Sequence, residues 1–472
     1  MLSAAALLRP AAPSKLTMTG ASATRIDLAW RDNSRNETAF LVYGRPAAAG
    51  RFALLGKVSA NIRKFGATGL LAQTAYQFCV RATNKSGGSA FSAKASAITT
   101  SSAAAKEPIS PNTATVTYSN PIVITAGGVY SGNWQSLDPN VPAVTVNTSA
   151  PVIIQNSNIR SRGTLIDASG GVNLTVQNTN GYGMNPNKKG RYAGRFLKVD
   201  GFDNILVTNN YMEGTSGIYL YGYEGNHTAA QSIHVIGNRA SNIDGRYSDG
   251  KGGYMTGPDD NYYVQFFQTN SVHNIVGAEV AWNEVINLPG QSRVEDNISI
   301  FDATGTPSSP FVIHDNYIQG AYPVDPAHDT SYTGGGIMLS DQGSAYIQAY
   351  NNQVLDTINY GIAISSGHDN IFYNNRIVSA GVLTDGTRPT AQNVGAYIWN
   401  QNKETTFTRN QGSNNLIGWV QGSGRNDSWT PDASAWKNNT SWGGTITQDT
   451  LAAEYALWVS KLANAGVQIG PA

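Results

Sequence analysis

The sequence holds a single cysteine, Cys79, in 472 residues, which excludes an intramolecular disulfide framework and any cysteine-based metal centre. Ionised residues are also scarce, at 13% against about 25% in an ordinary soluble domain. The surface must therefore be solvated by Asn, Gln, Ser, Thr and Tyr, and long charged helices can only be a minor element. Neither sign of charge prevails, with Lys+Arg 32 against Asp+Glu 31. The clustered cations that bind duplex nucleic acid or an anionic membrane are missing, so nucleic acid is not an expected partner. No apolar run approaches the roughly 18 residues that would span a bilayer. Residues 1–9 (MLSAAALLR) lack a basic leading region and are too short for a signal peptide, so they read as a start placed just ahead of a mature protein.

Glycine (50 residues), asparagine and short β-branched runs are plentiful, and the length suits two or more domains. Residues 13–100 alternate short strands with turns at intervals near ten: Arg25–Trp30, Phe40–Tyr43, Phe52–Val58, Tyr76–Ala82 and Ala95–Thr99. That spacing predicts an antiparallel sandwich. Trp30 closes an early strand, and Leu70 or Leu71 precedes Thr74 and Tyr76 in the spacing of a tyrosine corner. On these residues the segment resembles a fibronectin type III domain, which implies a spacer or docking module. Cys79 is expected on an inward-facing position as a small buried hydrophobe. Residues 101–111 (SSAAAKEPISP) read as a semi-rigid linker.

From residue 112 to 446 the texture changes to short β-branched runs, each broken by Asn and followed by another run, as in VIIQNSNIRS, FVIHDNYIQG and NIFYNNRIVS. Aligning Asn178, Asn210, Asn238, Asn283, Asn316, Asn352, Asn375 and Asn410 gives coils of about 22 residues with insertions of varying length, the mark of a solenoid built from strands. Stacked rungs let each strand pair above and below, and an Asn repeated at one corner can form a ladder whose amides satisfy the turn. This region resembles the right-handed parallel β-helix of pectin- and alginate-active enzymes. Together the segments predict an all-β chain. Residues 447–472 differ: Leu451, Tyr455, Trp458 and Leu462 recur at helical spacing before Gly466, predicting a capping helix over the last rung's open edge.

The runs Gly217–Tyr221, Asn297–Phe301, Gly336–Ser340, Gly361–Ser365 and Gly395–Trp399 should be laterally equivalent strands, so the residues after each should line one strip. Those are Glu224 and His227, then Asp302, then Asp341, then His368 with Asp369, then Asn400 and Lys403. Neighbouring rungs would set Asp302 and Asp341 about 5–6 Å apart. Carboxyls so placed raise one another's pKa, which lets one act as acid and the other as base or nucleophile in glycoside hydrolysis. The column resembles that of β-helical polygalacturonase-type hydrolases, with Gly367-His368-Asp369 at their Gly-His-Gly segment and Glu295-Asp296 echoing their Asp-Asp pair. Arg376-Ile377-Val378 differs from their Arg-Ile-Lys and falls on another face. The expected catalytic set is Asp302, Asp341, His368 and Asp369.

Two insertions offer an alternative. Asp325-Pro326-Ala327-His328-Asp329 is one residue longer than the Asp-Pro-His-Asp tetrad of mannuronan epimerases and related lyases. That resemblance implies proton exchange by a Tyr–His pair drawn from Tyr322, His328 and Tyr332. Lys251 and Arg293 could neutralise a uronate and assist elimination. In the Gly-rich loop, Asp249, Asp259 and Asp260 could instead hold calcium, which takes six to eight oxygens; no cofactor is otherwise required. Tyr221, Tyr223, Glu224, Tyr332, Trp399 and Lys403 are the expected sugar contacts, because aromatic faces stack on sugar C–H surfaces while polar groups bind hydroxyls. Phe266 and Phe267 are expected in the core. The sequence thus points to a secreted, monomeric polysaccharide-active enzyme, hydrolytic in preference to eliminative, with a glycan-binding adhesin as the non-enzymatic alternative.

Overall fold

The computed structural model describes residues 8–471 apart from 22–24, 48–50, 69, 71–73, 100–115 and 384–385. The expected linker, Leu71 and most of the leading segment lie outside the described residues. The chain divides into two compact units, Met1–Glu107 and Pro108–Ala472.

In the first unit a three-stranded antiparallel sheet (Ser14–Ala21, Arg25–Arg31, Lys64–Thr68) faces a five-stranded one built around Ala39–Pro46 and Ala75–Asn84. Ile26, Leu28, Trp30, Phe40, Tyr76, Phe78 and Val80 form the core between them. Cys79 is free and buried, but strand alternation sets it on the face opposite Phe78 and Val80, not inward as expected. Burial pushes its thiol pKa up, which keeps it unreactive.

The second unit is a parallel β-helix with three lateral sheets. On the first sheet, Ile122, Val144, Ile166, Leu197, Ile218, Phe267, Ile298, Ile337, Ile362 and Ala396 stack rung on rung in one inward column. The expected lateral strands are equivalent, with one further rung, Phe267–Asn270, between the first and second of them. Phe266 and Phe267 are fully buried. One residue along from the inward column, Lys198, Tyr219, Gln268, Ser299, Met338, Ala363, Tyr397 and Trp429 form the matching outward column.

The corner between the second and third sheets fixes the rung spacing. Asn210, Asn238, Asn283, Asn316, Asn352, Asn375, Asn415 and Asn439 stack there, each Nδ2 donating to the Oδ1 of the next at 2.8–3.0 Å. Each Oδ1 also accepts the backbone N–H of the member before it. The second Nδ2 hydrogen goes to a backbone carbonyl, such as Val280 O from Asn316 at 2.9 Å. The residue preceding each ladder member, from Asn209 to Asn438, is left-handed, which turns the chain through the corner. Two expected members do not belong. Asn178 is itself the left-handed residue, and the next residue, Thr179, donates its N–H to Asn210. Asn410 pairs with Asn370 at another corner, and its ladder place is taken by Asn415.

The C-terminal helix, Gln448–Ala465, ends on left-handed Gly466. It lies across the outer face of the third sheet, not over the last rung. Glu454 is buried against Arg376 and Gln353, the Tyr455 hydroxyl donates to Glu284 at 2.8 Å, and Trp458 Nε1 donates to Asp315 O at 3.2 Å. Polar third-sheet positions such as Gln353 and Arg376 need these partners, which is why the helix docks there. Beside it, Lys461 pairs with Asp315, and Asp315 with His314, whose Nε2 meets Glu279 at 2.9 Å. His234 approaches Glu279 from the previous rung, and Tyr350 stacks on the His314 ring at 4.8 Å.

Asn316→Ala should lower unfolding stability by at least about 3 kcal/mol in denaturant titration, because it strands buried donors and an acceptor on neighbouring rungs. A second outcome concerns pH. Burial alone would lower the His314 pKa, but its bonds to Asp315 and Glu279 push it up to about 9. A raised pKa means the charged imidazole stabilises the fold fully below its unfolded value of about 6.5. That contribution, of the order of 2 kcal/mol, is lost as pH rises through about 9. The melting temperature should fall across that window, and His314→Gln should flatten the fall.

Candidate active site

Where the first sheet faces outward, inserted loops turn it into a cleft. One half, about 730 Å³, runs past Lys198, Tyr219, Gln268 and Ser299 to Glu295 and Asp341. The other half, about 610 Å³, continues past Asp296, Tyr332, Tyr360 and Tyr397 to Gln401. Glu295, Asp341, Tyr262 and Tyr263 line both halves, so the carboxyl groups stand at the waist. The wall comes from the insertion at residues 244–264, a small ribbon held by the pairings Arg246 with Asn261 and Ser248 with Tyr254. Its Tyr262 stacks flat on Tyr192 at 4.4 Å, while Tyr263 and Tyr332 are 63% exposed at the rim.

The rung register gathers the acidic groups. Glu295 immediately precedes the strand Asp296–Ile300, and Asp341 immediately follows the next rung, Gly335–Ser340. Asp296 pairs with Gly335, and Gly335 with Tyr360, across three successive rungs. Over the gap left by Gly335 the Tyr360 hydroxyl donates to Asp296 Oδ1. A Cβ at Gly335 would stand 2.1 Å from that Asp296 oxygen and 2.5 Å from the Tyr360 ring, so only glycine permits the contact.

The carboxyls sit in unequal surroundings. Burial raises the Asp341 pKa, opposed only by the Ser365 hydroxyl at 3.3 Å. Burial also raises Glu295, and the negative charge of Asp341 adds to it, but Arg293, Arg195 and the Gln265 amide at 2.9 Å favour its ionised form. Asp296 is raised well above the ordinary range by burial and then by Glu295. Such a cluster cannot ionise completely at neutral pH. Asp296 is the member that holds its proton most firmly, and Glu295 and Asp341, both raised, face one cleft.

The expected residues are distributed unevenly around this centre. Asp341, Arg293, Tyr332 and Asp259 line the cleft. Asp302 does not join Asp341: it is left-handed, accepts from Ser271 Oγ at 3.1 Å and approaches His273 at 3.6 Å. His368 and Asp369 form a corner cluster in which Asp369 holds His368 at 2.6 Å and Arg409 at 2.6 and 2.8 Å. Both sit outside the cleft lining. The tetrad-like loop does not assemble either. His328 is an exposed side chain bonded to Asp325, whereas Tyr322 is buried against Ile358 and Leu383. Lys251 is exposed on a turn whose N–H groups are capped by Asp249, and Asp260 caps Gly257 in the same way. Asp249, Asp259 and Asp260 therefore do not converge, and no cluster of metal-ligating side chains occurs among the described residues. Tyr223 donates to Gln231 O and packs on Phe202, Glu224 is exposed beside it, and Tyr221 is exposed two residues beyond Tyr219 of the cleft-lining column, in register with Asn270. Trp399 and Lys403 line a separate hollow. Arg195, Gln265, Glu295, Asp296 and Tyr360 complete the centre without having been singled out as catalytic; the Glu-Asp pair heading a strand of the site column was the available signal.

Comparison with known proteins bears on the first unit. Residues 11–98 match the fibronectin type III domain family. This fibronectin type III match covers nearly all of the two-sheet sandwich and stops short of the solenoid. Similar solved structures include a domain segment of titin, at 26% identity over 20% of this chain and 32% of that one with a TM-score of 0.19. The myokine structure gives 20% identity over 19% of this chain and 98% of that one, TM-score 0.18. This chain thus spans about a third of the titin segment. No curated protein matches the chain.

Asp296 should keep its proton at about pH 6, where ordinary carboxyls are ionised. Infrared difference spectra should then show a protonated carboxyl band that Asp296→Asn removes; a fully ionised spectrum would contradict the raised pKa.

Proposed function

We propose that the β-helix is a secreted glycoside hydrolase that holds a polysaccharide along the outward column of the first sheet. The observation that carries this reading is the shared cleft of Asp341 and Glu295, one lacking a cationic neighbour and the other flanked by Arg293 and Arg195. One of the pair, protonated, gives its proton to the glycosidic oxygen as the bond breaks. The other, ionised, accepts the proton of the attacking water or itself attacks the anomeric carbon. Both roles come from paired carboxyls pushed to different proton affinities by their surroundings. Asp296 supports the pair by carrying no charge of its own beside Glu295. Tyr219, Tyr262 and Tyr263 offer ring faces to sugar C–H surfaces, and Gln268, Asn270 and Ser299 offer hydrogen bonds to hydroxyls.

Elimination or C5-epimerisation of a uronan is less well supported. It needs a free cation and a base at the sugar ring. Here the Arg195 guanidinium is spent on Ser216 O and Gln265, and that of Arg293 on Val294 O and Thr333. The fibronectin type III unit is read as a module that holds the enzyme near its substrate. Its presence accords with an extracellular setting, and no helix among the described residues is long and apolar enough to cross a membrane.

Incubation with neutral and acidic polysaccharides should release new reducing ends without forming an unsaturated, ultraviolet-absorbing sugar. Asp341→Asn and Glu295→Gln should each lower the rate by about 100-fold or more while polysaccharide binding persists. Chelators should leave the rate unchanged. Ultraviolet-absorbing product would instead establish elimination, and binding without product from any polymer would favour the adhesin.

A further inference from the structure

The cleft does not end at Tyr397. From Asp296 a chain of rings runs toward the C-terminal rungs. Tyr360 meets Tyr397 at 5.3 Å, Tyr397 meets Trp429 at 6.3 Å, and Trp429 meets Trp399 at 4.9 Å. Trp399 is 38% exposed and Trp429 45%, unusual for the largest apolar side chain. Trp399 borders a hollow of about 470 Å³ that also takes in Asn400, Lys403, Phe407, Arg409 and Asp432, and Trp429 stands beside it against the Trp399 ring.

The hollow and the cleft are neighbours on one surface. Ser365 donates its hydroxyl to Asp341, and its carbonyl accepts the N–H of Gln401, which lines the cleft. Asn400, next in the chain, lines the hollow. From the rung of Asp341 to that of Trp429 is three rung spacings, about 14 Å, so a chain bound at the carboxyls and running along the strip reaches the tryptophans.

Charge in the hollow is selective. Arg409 is committed to Asp369, and Asp432 to the backbone and hydroxyl of Ser434. The Lys403 ammonium has no hydrogen bond or ion pair among the described residues. It is the one uncommitted charge on this lining.

We infer that Trp399, Trp429 and Lys403 form a distal subsite that takes an acidic sugar, a uronate, of the same polysaccharide chain whose neighbouring bond is cut at Asp341. A sugar ring stacks on the exposed indoles, and its carboxylate meets Lys403. The inference rests on the proposed hydrolase reading and adds a substrate class to it: an acidic polymer longer than the central cleft alone would accommodate.

The test is binding to immobilised acidic and neutral polysaccharides by Asp341→Asn protein, alone and combined with Trp399→Ala or Lys403→Gln. Both added positions are exposed enough for the fold to persist, which melting curves verify. Lys403→Gln should weaken binding to the acidic polymer by up to about fivefold, as loss of one exposed charge pair allows, and leave neutral binding unchanged. Trp399→Ala should weaken acidic binding by at least as much. Acidic binding unaltered by either change overturns the subsite while leaving the hydrolase reading intact. Tryptophan- and lysine-dependent binding, with a wild-type enzyme that cuts nothing, supports the subsite and removes the hydrolase reading. Failure of the Asp341→Asn parent to bind any acidic polymer overturns the subsite as well.

Discussion

The asparagine ladder is the interaction on which the solenoid depends. A coil of parallel strands has no covalent or helical device to hold its rungs in register, and a slip of one residue would turn every inward side chain outward. Each ladder amide fixes its own rung against two neighbours at once, using both hydrogens of Nδ2 and both acceptor sites of Oδ1. Because the groups are fully buried, every bond left unmade would carry the full cost of desolvation. Register is thereby specified at one corner and transmitted along all three sheets.

Transmitted register is what aligns the acidic groups of the first sheet. Asp296, Gly335 and Tyr360 occupy one column on consecutive rungs, so an acid, a gap and a phenol are aligned without any loop having to adjust. The insertions then do what a sheet alone cannot: they wall the column with Tyr262 and Tyr263 and exclude enough water for burial to raise Asp341 and Asp296. A rigid scaffold and a shaped cover are separate contributions, and they come from different parts of the sequence.

That separation explains what could be read in advance. The rungs were legible because strand alternation and corner asparagines are local patterns, and the lateral equivalence of Asn297–Phe301, Gly336–Ser340 and Gly361–Ser365 followed from them. Asp341 was legible for the same reason. Its partner was not, because equivalence along the chain does not say which end of a strand meets the cleft: Asp302 follows its strand and turns to Ser271, while Glu295 precedes the same strand and enters. Asn410 and Asn415 were confused because two corners of this coil use the same residue type with the same hydrogen-bond logic. The helix was visible from its spacing, but its docking face was set by buried partners scattered over four rungs, from Glu284 to Arg376, which no local pattern reveals.

The scarcity of charge sharpens the meaning of the cluster that remains. In a chain with 13% ionisable charge, the solenoid concentrates Glu295, Asp296 and Asp341 with Arg195 and Arg293 at a single waist. Each raised carboxyl pKa there is a statement that folding opposes ionisation, hence a local loss of stability at neutral pH. Nothing in the rung architecture requires that loss, since the following rungs fill the Asp296 column with Gly335, Tyr360 and Val394. A stability cost placed where the sheet is shaped to receive a ligand, and absent from the matching positions of the next rungs, is what supports reading this waist as the proposed site.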